Sequence, residues 1–382
     1  MTLLDIDSYV MAALSFHTIF MAAYLLTAKD ERSDYLKLLG CTFIMLTGWY
    51  VSNFFEGAGI FREHPWLIDW PTLFIPLFAP SLYFYVQAVS SQKSWDWHSQ
   101  PRIHYYFAAA IVLIELPFAL APGNVKILQL EHFAAEPEGW AKILVTLGWV
   151  STALLLVQFA CYIVLSIRRL LSHAVRIRHL FSNIENRSLL WLRNYLLLLC
   201  LLWALGFSDF VDLPNDYSWI FHILWVMTFS LLSLRQKPVF AIEEQAPTLA
   251  ELSPVANGNK QSRTTLSAER RERIARKLQK VMDEDLLYKD ADLTLRKLSD
   301  IAGVSTHHIS ETLREEMQKN FYDFVNSCRI ADACKLLTTT TDATMDIAFT
   351  VGFNSRSTFN AAFKKHTDTS PAAYRKNSLK LS

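Results

Sequence analysis

The sequence predicts an all-α chain in two unlike parts. About seven transmembrane helices form an N-terminal bundle, and a soluble domain with two helix-turn-helix units joined by a long helix follows. Three observations carry this. Of the 382 residues, 52% are hydrophobic, yet nearly every long apolar run lies before Arg235. The connections between those runs are alternately rich and poor in Lys and Arg. A short pattern around Gly303 recurs around Gly352.

A helix needs about 20 apolar residues to cross the hydrocarbon core of a bilayer. Residues 9–28, 36–55, 67–89, 103–121, 143–167, 189–211 and 218–234 are the expected spans. The third is interrupted by Pro71, Pro76 and Pro80, which a bundle tolerates when neighbours satisfy the freed backbone groups. Trp66, Trp70, Trp95, Trp97, Trp140, Trp191 and Trp219 fall near span ends, where amphipathic rings favour the interface.

Loop charge sets the orientation. Lys29, Arg32 and Lys37 flank the first connection, Lys93 and Arg102 lie in the third, and Arg168, Arg169, Arg176, Arg178 and Arg187 fill the fifth. The alternate connections hold little, with Arg62 in one and Lys126 in another. The positive-inside rule places the N-terminus outside and the C-terminus in the cytoplasm, as expected for a multi-pass membrane protein. The start carries Asp5 and Asp7 and no Lys or Arg before Lys29, unlike the basic start of a signal peptide.

Composition argues against several other classes. Five cysteines give no disulfide framework and no metal-ligand spacing. There is no HExxH pair, no lysine in the last two spans for a Schiff base, and no glycine-rich nucleotide loop. The expectation is a non-enzyme with no cofactor.

Three parts follow: a bundle over 1–237, a polar tether over 238–265 and a DNA-binding domain over 266–382. Pro238, Pro247, Pro254 and the turn signal Asn257-Gly258-Asn259 mark the tether. Ser267 then caps a charged helix expected to run to about Tyr288, with Ile274, Leu278, Val281 and Met282 on one side. From Arg263 onward, 20 Lys/Arg stand against 16 Asp/Glu, although the whole chain is only +1. That excess suits a nucleic-acid face.

The duplication pairs Leu298-Ser-Asp-Ile-Ala-Gly303 with Ile347-Ala-Phe-Thr-Val-Gly352. In each, an apolar residue precedes the glycine by five positions, and a further helix follows with Ile309 and Leu313 or Phe359 and Phe363. A helix-turn-helix needs these parts. Its first helix packs, through Leu298, Ile301 and Ala302 in the proximal copy, and glycine permits the left-handed turn. Its second helix leaves one side for the major groove. A long helix with Phe321, Phe324, Val325, Cys328 and Ala331 at helical spacing joins the copies.

These residues resemble the AraC/XylS family of bacterial transcription regulators. LTLRKLSDIAGVSTHHISETLREEMQKNFYDFVNSCRIADACKLL is similar to that family's proximal half. MDIAFTVGFNSRSTFNAAFKKHTDTSPAAYRK is similar to its distal hallmark. The resemblance covers roughly the last 110 residues. Gln318 and Asp368 depart from it, standing where glycine is common after each recognition helix. It implies two recognition helices entering successive major-groove segments of double-stranded DNA, about 34 Å apart.

The outward positions expected on the first helix are Thr306, His307, Ser310, Glu311 and Arg314; on the second they are Arg356, Ser357, Asn360, Ala361 and Lys364. Base-edge chemistry assigns Arg356 to guanine, Asn360 to adenine and Glu311 to the cytosine amino group. Lys364, Lys365 and Arg314 suit phosphates. His307 and His308 point about 100° apart on a helix and cannot chelate one ion.

Inside the bundle, His17, Glu115, Asp209 and His222 are ionisable residues that are costly in a bilayer and tend to line its interior or a cavity. They are the expected ligand-sensing set, with no ligand specified. The expected function is a membrane-bound regulator coupling a membrane or periplasmic signal to gene expression. The alternative is a regulator whose bundle is a passive anchor or interaction platform. Expected partners are DNA, the lipid bilayer, RNA polymerase and a second copy of the chain.

Overall fold

The computed structural model describes residues 6–28, 33–91, 96–130, 139–206, 218–236, 239 and 266–381. Apart from Val239, the expected tether lies outside these residues, and so does Asp209. The described chain is nearly all helical. It divides into two compact units, Met1–Leu171 with Leu189–Pro238 and Ser172–Ser188 with Val239–Ser382. Ser172–Ser188, which lies within the expected bundle range, groups with the C-terminal residues.

In the first unit α1 (Ile6–Thr27) packs along α2 (Ser33–Gly57). A Cβ on Gly40 would come 2.9 Å from Leu26 Cγ, so a small residue is needed where the two helices meet. Thr47 donates across the pair to Thr18 at 3.0 Å. Leu14, Leu39, Phe43 and Tyr50 are buried.

After the one-turn α3 (Ile60–Glu63), the stretch expected as a third span is not one helix. Two 3₁₀ turns, Pro65–Leu67 and Ile75–Leu77, precede α4 (Phe78–Val89). Pro71 and Pro76 lack amide hydrogens and steer the residue before them away from helix, so α4 starts only beyond Pro76. Pro80 falls in its first turn, where a missing N–H costs nothing.

α5 (Ile103–Ala119), α6 (Gly123–Leu130), α7 (Trp140–Leu180), α8 (Leu190–Gly206) and α9 (Ser218–Arg235) follow. Lys126, read from sequence as a loop charge, is 1% exposed. Its ammonium donates to the carbonyls of Ile68 and Ala119 at 2.8 Å and of Trp66 at 3.2 Å. It ties irregular backbone together where no helix supplies donors.

Among the described residues, three helical stretches are long and apolar enough to cross a membrane: Ile6–Thr27, Tyr35–Gly57 and Lys142–Leu180. The apolar helices Ile75–Val89, Ile103–Ala119, Leu190–Cys200 and Trp219–Arg235 are shorter. The expected fifth span ends at Ile167, but α7 continues unbroken to Leu180, because no Gly or Pro interrupts residues 149–180. Its 41 residues make a rod of about 60 Å, twice the thickness of a hydrocarbon core.

The second unit is built on α10 (Ala268–Glu284), α11 (Leu295–Ala302), α12 (Thr306–Glu315), α13 (Phe321–Thr339), α14 (Thr344–Thr350), α15 (Arg356–Thr367) and α16 (Pro371–Leu381). Side chains open most of them. Ser267, Thr294, Ser305, Asn320 and Ser355 each accept from an amide three residues on, and each cap contributes about 1 kcal/mol. α10 ends at Glu284 rather than near Tyr288, and Leu286 at φ 52° breaks it.

α13 is the spine, contacting α14, α15 and α16 on its distal half and α12 on its proximal one. Ile330, Ala333 and Leu337 join Ile347, Ala348, Val351, Phe353, Phe359, Ala362 and Phe363 in one buried cluster. Each fully buried large side chain there contributes about 1.5–3 kcal/mol. The stripe on α13 is shifted from the expected one, since Ala331 is exposed while Arg329 and Ile330 are buried. In the proximal unit Leu298 and Ala302 are buried, but Ile301 is 45% exposed and does not pack as expected.

Candidate nucleic-acid interface

Each turn places a recognition helix by the same local means. Gly303 ends α11 at φ 58°, and Ser305 then caps α12. Gly352 follows α14 at φ 97°, and Ser355 caps α15. Gly352 has a second reason to be glycine: a Cβ there would stand 2.6 Å from the Tyr288 carbonyl oxygen and 2.8 Å from that of Lys289.

On α12, His307 and Arg314 are exposed, and Thr306 and Ser310 are half-buried. Arg314 donates to the adjacent Glu315 at 2.8 Å. Glu311 departs from the expectation. It is 8% exposed, and its carboxylate accepts from the Leu266 amide at 3.2 Å, so it joins the entry of α10 to α12 and does not face outward. Thr312 and Leu313 are also buried, which gives α12 a wider packed face than the Ile309/Leu313 pair implied.

On α15, Arg356, Ser357, Ala361, Lys364 and Lys365 are exposed and Asn360 is half-buried. Phe359, Ala362 and Phe363 form the opposite, buried side. Lys365, expected on phosphate, pairs instead with Asp323 at 2.6 Å. Ser357 donates to Glu185 at 3.0 Å. The exposed basic groups left on the outer side of α15 are Arg356 and Lys364, with half-buried Asn360 between them and Ser357 held by Glu185. They match groove-facing positions in type and spacing.

Sequence reasoning missed Arg329. Its guanidinium, 1% exposed, donates to the Tyr288 carbonyl at 2.7 Å, the Asp290 carbonyl at 2.8 Å, and the Ser182 carbonyl and hydroxyl at 3.3 and 3.2 Å. Burial lowers its pKa to about 10, against the opposing pull of Asp290, so it stays charged at neutral pH. An arginine one position past the Phe321/Phe324/Val325/Cys328 stripe was the available signal.

The four proposed sensing residues are not seen as one set. His17 bonds Ser230 across α1 and α9 at 2.9 Å, and Tyr50 meets His222 at 3.4 Å across α2 and α9. Glu115 accepts from Ser151 at 2.7 Å between α5 and α7. Asp209 lies outside the described residues.

A helix-turn-helix domain profile matches residues 298–377. An uncharacterized HTH-type transcriptional regulator of Staphylococcus aureus (strain COL) is 36% identical over 99 residues, covering 26% of this chain and 13% of that protein. The probable transcription factor PqrA of Proteus vulgaris is 29% identical over 94 residues, 25% of this chain and 77% of its own length. The C-terminal domain of AraT, a response regulator from Geobacillus stearothermophilus, shares 28% identity over 27% of this chain and 84% of that one, with a TM-score of 0.25. The C-terminal part of this chain thus contains a helix-turn-helix domain. The chain spans about an eighth of the length of the first relative, and the likeness is confined to this domain.

Proposed function

We propose that this chain is a membrane-bound, sequence-specific DNA-binding transcription regulator that couples a membrane or periplasmic signal to gene expression. The observation that carries the DNA-binding part is the pair of glycine-turned, serine-capped helices, α12 and α15. Each is packed on one side and polar on the other, and they are set on a single spine. Two such units reading adjacent groove segments need no catalytic group. Support for the membrane part is the outward apolar surface of the first unit. Phe16, Leu113, Leu120, Val157 and Leu224 are each more than half exposed, which in water is unfavourable and in lipid costs nothing.

On this reading about seven segments cross the inner membrane, the N-terminus faces outward, and residues 266–382 meet DNA in the cytoplasm. RNA polymerase and a second copy of the chain are its further partners. The anchor reading has one observation in its favour: His17, His222 and Glu115 each already have a bonding partner within the bundle. The deciding experiment is a genome-wide map of DNA bound by the full chain, repeated with the bundle replaced by an unrelated anchor. Discrete sites lost or altered on replacement support sensing, sites unchanged support the anchor, and no discrete sites overturn both.

A further inference from the structure

The helix-turn-helix domain carries a partner of its own. Residues 181–187, which follow α7 directly, lie against it at three places. Phe181 forms an antiparallel bridge with Thr294, and the Ser182 amide donates to the Leu293 carbonyl at 3.2 Å, at the start of α11. Arg329 on the spine holds both Ser182 oxygens. The Glu185 carboxylate accepts from the hydroxyls of Ser355, Ser357 and Thr358, the first turn of α15. Phe181 and Ser182 are 3% and 1% exposed. Arg187 lies 3.8 Å above the Phe181 ring, and its carbonyl is bonded by His173 at 2.8 Å.

The placement of Glu185 is the informative part. Burial pushes its carboxyl up, but the Ser355, Thr358 and Ser357 hydroxyls together outweigh this and hold it below the ordinary carboxylate range, so it is an anion at neutral pH. An anion at a helix N-terminus with hydroxyl donors around it stands where a DNA phosphate is ordinarily bound. Beside it are Arg356 and Ser357, which the proposed function assigns to the groove. Carboxylate and phosphate cannot share the same three hydroxyls.

We propose that residues 181–187 are a docking segment that competes with DNA for the distal recognition helix, with Glu185 as the phosphate substitute and the Arg329–Ser182 contact as its anchor. The domain then has two exclusive occupants of one surface, its own connecting segment and duplex DNA. Release of the segment is a step that DNA binding requires.

This inference rests on the DNA-binding reading, and the test separates the two. Full-length chain in lipid nanodiscs is titrated with a mixed-sequence 30-base-pair duplex in constant salt, comparing wild type with Glu185→Gln, Asp342→Asn and Phe181→Glu. If the docked form holds about nine-tenths of the chain, its loss tightens binding about tenfold. Glu185→Gln is expected to show that gain. Asp342→Asn removes an equal charge from an exposed site with no bonding partner among the described residues, and is expected to change binding far less. Phe181→Glu adds a negative charge, yet is expected to tighten binding because it dislodges the segment. Equal binding by Glu185→Gln and Asp342→Asn overturns the docking proposal and leaves the DNA-binding reading standing. Absence of duplex binding by every variant overturns both. Should Phe181→Glu fail to fold, the Glu185→Gln and Asp342→Asn comparison decides alone.

Discussion

Gln318 and Asp368 hold equivalent left-handed backbone positions, φ 52° and φ 56°, one beyond each recognition helix. These are the two places where the resemblance to the AraC/XylS family leads one to expect glycine and the sequence has another residue. The geometry asks for glycine, and the chain supplies other residues. A side chain in this region costs about 1–2 kcal/mol, less for Asp, which tolerates it. Gln318→Gly is therefore expected to stabilise the domain by about 0.5–1 kcal/mol, after the entropy of the added glycine is subtracted, and Asp368→Gly by less. Urea unfolding followed by limited proteolysis of the C-terminal unit measures both. A loss of stability at 318 would contradict the backbone assignment.

The two turn glycines differ in what surrounds them. A Cβ on Gly303 meets nothing nearer than the flexible end of Lys277 at 3.8 Å, whereas one on Gly352 meets two backbone carbonyls under 3.0 Å. Gly303→Ala is expected to cost about 1 kcal/mol from φ strain alone. Gly352→Ala adds a clash that neither carbonyl can swing away from, and is expected to cost about 3 kcal/mol. Similar losses at both positions would show that the Tyr288–Lys289 backbone yields.

For DNA, Arg356→Ala and Asn360→Ala should each cost about 1–3 kcal/mol at a specific site and relax preference at particular bases. Lys364→Ala should weaken specific and non-specific DNA alike and reduce the slope of log affinity against log salt by about one. Glu311→Ala should behave differently from both. It leaves the Leu266 amide without its acceptor, so the expected change is about 1–3 kcal/mol of stability with base preference unaltered. Selection of binding sites from a random duplex library checks all four.

How much of this was legible in the sequence follows from what each signal depends on. The duplicated turns were readable because a left-handed glycine and an apolar residue five positions before it are local requirements, whereas the capping roles of Ser305 and Ser355 emerge only in the structure. The apolar faces of α14 and α15 were readable from spacing. Glu311 was misplaced because its position on the helix wheel looks outward until the chain entering α10, with Leu266 45 positions earlier, covers it. The third apolar stretch misled because hydropathy counts residues and ignores what Pro71 and Pro76 do to backbone. Contacts of Arg329 with Ser182, 147 residues apart, leave no periodic trace in either segment.

Topology gives a separate check on the proposed membrane arrangement. A reporter active only in the periplasm should be active when fused within residues 121–140 and silent when fused after Lys237. The basic stretch from Arg168 to Arg187 contains the segment that lies on the helix-turn-helix domain, so the charge rule and the packing ask for the same side. The reverse pattern would remove the domain from DNA and end the regulatory reading.

Arg329 offers the most demanding prediction, because one side chain satisfies three carbonyls from two stretches of chain. Its planar fork presents donors in fixed directions, and the acceptors on Tyr288, Asp290 and Ser182 lie along them. Lysine keeps the charge but gathers its donors on a single atom, which cannot reach all three. Arg329→Lys is therefore expected to lose about 2–3 kcal/mol, and Arg329→Met more, since every acceptor is then buried without a donor. A second readout separates this from simple loss of packing. Ser182 is one of the acceptors, so protease cleavage within 181–187 should accelerate in Arg329→Lys under conditions where the rest of the domain still resists. Equal protection of that segment in wild type and Arg329→Lys would mean that the Phe181 bridge and the Glu185 contacts hold it without Arg329, and the guanidinium would then be left with the Tyr288–Asp290 turn alone.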